Sequence, residues 1–172
     1  MKTWFLLTSV LVLASCASIR VEYDYDKEAD FKAYKTYGYY AELNSGLSQL
    51  DERRLIRVLD AALVAKGFQY SDTPDFLINV TSETYRNTPQ NNVGVGLGGT
   101  NNNMGGGISI GLPLGGGAIK RRIQFDFVDA KGDFLFWQAT SDSGLRDNAA
   151  PDVRESQLQQ LVQKVFSKFP PQ

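Results

Sequence analysis

Asp24, Asp26, Glu28 and Asp30 place four carboxylates at every second position, the densest group of potential metal ligands or acid–base side chains in the chain. A calcium loop of the EF-hand type needs glycine at its sixth position and a bidentate glutamate at its twelfth. Those positions hold Ala29 and Lys35, which excludes that motif. Asp24, Asp26 and Asp30 remain a candidate for a looser cation or polar site, on what otherwise reads as a solvated strand edge leading into a turn. The chain has no histidine, so His-based triads, the commonest general base and the commonest zinc ligand are all excluded together. Catalysis would have to rest on carboxylates, Ser, Lys or Tyr. Gly94-Val95-Gly96-Leu97-Gly98-Gly99 fits a dinucleotide-binding glycine string, but it runs into Thr100 and three asparagines instead of the helix whose N-terminus would hold a pyrophosphate. Asp142-Ser143-Gly144 matches the string of aspartic proteases, which need two copies or a homodimer, and reads as a polar turn after a strand. Arg53-Arg54 with Arg57, and Lys120-Arg121-Arg122, are short basic clusters that read as solvated faces. The expectation is a non-enzyme without metal or cofactor.

Cys16 is the only cysteine, so neither an intramolecular disulfide nor a cysteine-based metal site can form, and the fold must depend on its apolar core. What surrounds this thiol names a reaction. Lys2 precedes the apolar run Trp4 to Ala14, which is too short for the roughly 20 residues that span a bilayer. The run ends in Leu13, followed by the small residues Ala14 and Ser15, which let the bond between Ser15 and Cys16 enter a peptidase, while the thiol can carry a thioether-linked diacylglycerol. This resembles the signal of bacterial lipoprotein precursors. Two or three acyl chains anchor a protein stably where one binds only reversibly. Residues 1–15 are thus expected to be removed, and 16–20 to be the lipidated cysteine and its tether.

The remaining chain is one domain's worth of sequence, 21–170. The full chain, with 18 Lys+Arg against 19 Asp+Glu and a net charge of −1, has no electrostatic footprint for nucleic acid. Val21, Tyr23 and Tyr25 alternate with charged residues as a half-buried strand does, and Tyr34 to Tyr40 forms a second β-like run. Ser48 opens a helical pattern with Leu55, Val58, Leu59 and Ala62 on one face, which Gly67 ends. Phe76, Ile78 and Val80 alternate in a third strand, where Leu77 suggests partial cover on both faces. Ile119 to Val128 and Phe134 to Thr140 flank the turn composition Asp129 to Asp133 and read as a hairpin. Asp152 with Glu155 reads as a capping box, followed by Leu158, Leu161, Val162, Val165, Phe166 and Phe169 at helical spacing. Without a repeated β-α unit, the class is α+β: a mostly antiparallel or mixed sheet of about five strands packed by two helices.

Residues 87–118 interrupt this pattern with eleven of the sixteen glycines and a run of asparagines. Alone, such a segment cannot bury enough apolar area to offset backbone entropy. Yet Val93, Val95 and Leu97, and then Ile108, Ile110, Leu112 and Leu114, recur at close spacing among the glycines. The insert therefore reads either as a loop or as a hairpin that meets a partner or a membrane.

Tyr23-Asp24-Tyr25-Asp26, Asp30-Phe31, Tyr34-Lys35-Thr36-Tyr37, Lys66-Gly67-Phe68, Pro74-Asp75-Phe76-Leu77, Phe127-Val128-Asp129-Ala130, Phe136-Trp137 and Phe166 to Pro170 together resemble the bacterial lipoprotein family called domain of unknown function 4136. Lys27 stands where that pattern has proline. The resemblance implies an envelope lipoprotein with an α+β domain and brings no activity with it. Ala17 after the cysteine resembles the outer-membrane sorting class. The expected role is a non-catalytic binding or assembly module, lipid-anchored in the outer membrane and facing the periplasm, with the membrane and possibly another envelope protein as partners. The alternatives are a small-ligand or lipid carrier, or an envelope hydrolase using Asp24, Asp26 or Asp30.

Overall fold

The computed structural model describes residues 19–87, 118–144 and 148–171. They form an α+β domain in which one six-stranded mixed sheet carries two helices on one face. The strands are β1 (Arg20–Tyr25), β2 (Thr36–Tyr39), β3 (Gln69–Tyr70), β4 (Phe76–Asn87), β5 (Ala118–Asp129) and β6 (Leu135–Ser143), and the helices are α1 (Gln49–Ala65) and α2 (Pro151–Phe166). The order across the sheet is β1-β6-β5-β4-β2-β3, with β2 parallel to both β3 and β4 and the other pairs antiparallel.

Period-2 alternation sets which way the strands face. Phe76, Ile78 and Val80 of β4 and Ile123, Phe125 and Phe127 of β5 are fully buried against the helices. Leu77 is half-buried on the opposite face, where its register partner is Val128, so its cover comes from a sheet neighbour rather than a second layer. A bulge between Phe127↔Trp137 and Val128↔Leu135 puts an extra residue into β6, and it turns both Phe136 and Trp137 into the core. These two join Phe76, Phe127, Phe166 and Phe169 in a continuous aromatic cluster, each pair touching at its own angle, such as Phe127 against Phe169 at 4.8 Å and 81°.

The helices start and stop for local reasons. Ser48 caps α1 by accepting the Asp51 N–H, and Gly67 at φ 92 ends it, with the Phe68 N–H returning to the Leu63 carbonyl. For α2 the expected capping box does not form. Ala150 is the cap residue and Pro151, whose ring presets the helical φ, is the first helical residue, so Asp152 falls inside the first turn. Glu155 instead reaches Arg57 on α1 at 3.2 Å. The helices run in the same direction. Near their N-termini the buried Asp51 accepts from Arg54 at 2.8 Å and pairs with Arg154 of α2, while beyond their C-termini Phe68 meets Phe169 at 5.6 Å.

Candidate functional site

The face of the sheet opposite the helices is uncovered among the described residues, and register aligns its side chains in rows across the strands. Leu77, Val128 and Leu135 make an apolar row at one end. Next come Asn79, Asp126, Gln138 and Asp24, then Thr81, Gln124, Thr140 and Glu22, and last Glu83, Arg122, Asp142 and Arg20. Neighbouring strands stand about 4.8 Å apart, so each row is a line of polar groups within mutual reach.

Asp126 is the centre of these rows. Its Oδ1 accepts from Gln138 Nε2 at 2.7 Å and from Gln124 Nε2 at 3.0 Å, and its Oδ2 accepts from Gln124 at 3.2 Å. Both amides are thereby held in one orientation by the carboxylate. Beside them a depression of about 390 Å³ is lined by Tyr40, Glu42, Asn79, Asp126, Val128, Leu135 and Gln138. Leu135, 47% exposed, and Gln138 also line a second depression of about 280 Å³ that reaches Asp24 and Asp26. Burial first, and then the charges of Asp133 and Asp126, hold the Tyr40 phenol neutral above its ordinary range. The surface thus offers oriented amides, a carboxylate, a phenol and a small apolar floor. That set suits a partner rich in hydroxyl, amide or ammonium groups.

Asp24 and Asp26 therefore lie on the rim of the site, while Asp30 lines neither depression. Each is engaged locally: Asp24 accepts the Tyr25 N–H, Asp26 the Glu28 N–H and Asp30 the Lys32 N–H. Among the described residues no three acidic, His or Cys side chains converge on a point where an ion would sit. Within Asp142-Ser143-Gly144, Asp142 pairs with Arg122 at 3.1 Å and Ser143 is buried on the helix side. Leu13, Ala14, Ser15 and Cys16, and the residues Val93, Val95, Leu97, Ile108, Ile110, Leu112 and Leu114, lie outside the described residues. Sequence reasoning did not single out Asp126, Gln124, Gln138 or Asn79. The available signal was that the outward phase of two strands expected to pair carries amides and a carboxylate together.

The motifs that carry the family resemblance have another task. Asp75 Oδ2 accepts the N–H groups of Lys35 and Thr36 and the Thr36 hydroxyl, each at 2.9 Å, which aligns β2 with β4 in parallel. Those backbone donors hold its carboxyl below the ordinary aspartate range. Asp129 accepts from Gly132 and Lys131 N–H in the β5–β6 turn and from the Tyr34 hydroxyl at 3.1 Å, and it is held low for the same reason. Tyr37 and Tyr39 both donate to Asp60 of α1, at 2.9 and 2.8 Å, tying the helix to β2. These groups join elements together and lie apart from the candidate site.

One solved structure shares the fold. A PDZ domain protein from Parabacteroides distasonis superposes with a TM-score of 0.58 at 12% identity; the match covers 99% of this chain and 41% of that one, so this chain spans about two-fifths of its length. Dodecameric PelC from Paraburkholderia phytofirmans gives TM-scores of 0.47 and 0.48 in two crystal forms, at 11% identity over 87% of this chain and 95 to 96% of that one. No curated protein matches the sequence significantly. The family described as Domain of unknown function (DUF4136) matches residues 21–171, almost the whole of the α+β domain, and the chain belongs to that family.

Proposed function

We propose that the protein is a lipid-anchored bacterial envelope protein whose domain is a non-catalytic binding module, holding a polar partner on the open face of its sheet on the periplasmic side of the outer membrane. The observation that carries this reading is the Asp126 centre. A carboxylate fixed by two amides, on a face that no second layer covers among the described residues, is preorganised to recognise a partner through its remaining lone pairs. A general acid–base pair would instead need two carboxyl groups in environments that push their proton affinities apart. The anchor is supported by the lipobox Leu13-Ala14-Ser15-Cys16. A second reading, a carrier of a small polar ligand, draws on the 390 Å³ depression, whose volume falls within the range of ligand pockets. A lipid cargo suits it poorly, because the helix side of the sheet is filled by packed aromatic rings.

Two variants test the proposal. Cys16→Ala is expected to accumulate as an unprocessed or soluble species; a mutant that stays with membranes through a high-salt wash would remove lipidation as the main anchor. Asp126→Ala is expected to lose the envelope partners that wild-type protein pulls down, with thermal melting little changed because the residue lies on the open face. An identical pull-down pattern at unchanged stability would sink the open-face assignment.

A further inference from the structure

Two parts of the chain leave the domain at the same end of the sheet. Arg20, the first residue of β1, stands in the row Glu83–Arg122–Asp142–Arg20, and Cys16 is four residues upstream, a reach of at most ~14 Å. From that row β4 and β5 continue for four more pairs, Thr84↔Arg121 to Asn87↔Ala118, which advance about 13 Å. The last three of these pairs lie beyond the β6 register, so the sheet narrows there to a two-stranded ribbon.

Each face of the ribbon carries one cation. Tyr85 stands opposite Lys120 on the open face, its ring half-buried with the Arg122 guanidinium 5.0 Å above it, and Arg86 stands opposite Ile119 on the helix face, where Ile119 is 63% exposed. Each face thus shows one cation beside one apolar or aromatic group. Neither Arg86 nor Lys120 forms an ion pair among the described residues, whereas the acids nearby are engaged: Glu83 and Asp142 with Arg122, Glu22 with Arg20, and Asp51 with Arg54 and Arg154. Apolar and aromatic side chains settle at the boundary of headgroups and acyl chains, while Lys and Arg settle on lipid phosphates.

We propose that this ribbon end is a membrane-contact surface that sits on the anionic headgroups of the bilayer holding the anchor. The inference rests on the lipidation of Cys16, because β1 begins at the same end of the sheet from which the ribbon projects. Two contacts on one end stand the sheet upright, and the row through Asp126 is turned away from the lipid.

Lipidation consumes the only native thiol, so mature lipidated Ile119→Cys accepts one spin label per chain. In vesicles of phosphatidylethanolamine and phosphatidylglycerol, the label at 119 is expected to lose collisions with a water-soluble nickel relaxant, relative to a label at Lys131→Cys on the opposite end. Adding Arg86→Glu and Lys120→Glu is expected to restore them. Equal accessibility at both positions overturns the proposal. Two labels per chain would show that Cys16 is free, and so overturn the anchor reading instead. Co-sedimentation of the unlipidated chain with the same vesicles then decides the contact: salt-sensitive binding abolished by the two charge reversals sustains it, and absence of binding overturns it.

Discussion

At the scale of single residues, the most informative groups are those whose proton affinity the fold has moved. Burial first, and then the hydrogen bond to Asp129, pushes the Tyr34 phenol up from 10.0 to about 12. A group raised in this way contributes stability that is complete below its unfolded value and disappears as pH rises through the folded one. Asp75 and Asp129 are shifted the other way, below 3.8, so their contribution is present above that value and is lost as pH falls. We therefore expect urea midpoints to be flat near neutrality, to fall between about pH 10 and 12, and to fall again below about pH 4. Tyr34→Phe should soften the alkaline decline and, by removing one donor to Asp129, part of the acid one as well, whereas Asp75→Asn should soften the acid decline alone. An alkaline limb unchanged by Tyr34→Phe would mean that other groups govern it. None of these roles was legible in the sequence, where Tyr34, Asp75 and Asp129 are ordinary residues of a strand and two turns; their partners lie 95 and 39 positions away, at distances that only pairing of the strands brings close.

At the scale of elements, periodicity located α1, β4, β5, β6 and α2, because each buries one regular face large enough to dominate its composition. It did not reveal that β2 runs parallel to β4. A strand of four residues has too little alternation to state a direction, and the alignment comes from the Asp75 carboxylate rather than from any apolar pattern. The two residues of β3 left no signal at all. The C-terminal helix carries a prediction of its own. Leu161, Val165 and Phe166 are buried against the sheet, each worth roughly 1.5 to 3 kcal/mol. Val165→Asp would place an unpaired charge there and should abolish cooperative thermal unfolding; a melting curve like that of the wild type would contradict the packing described for α2.

At the scale of the whole molecule, the ends of residues 88–117 are held side by side by the ladder that closes at Asn87↔Ala118. Twelve consecutive pairs already specify that hairpin, and changing the length of the connection costs only about 0.6 kcal/mol per doubling. Replacing Val93 to Leu114 with a short Gly-Ser turn should thus leave a folded domain with a nearly unchanged melting temperature, while partner or membrane contact made by that segment is lost. A collapse of the melting temperature would put these residues in the core, and unchanged contacts would leave the segment as a connector alone. The order of the strands also governs when the molecule can close. The first strand docks on the last, and Lys164 donates to the carbonyl of Ile19 across 145 positions, so a chain that emerges N-terminus first presents β1 before the edge that receives it exists. β1 would therefore stay undocked until nearly the whole domain has followed it.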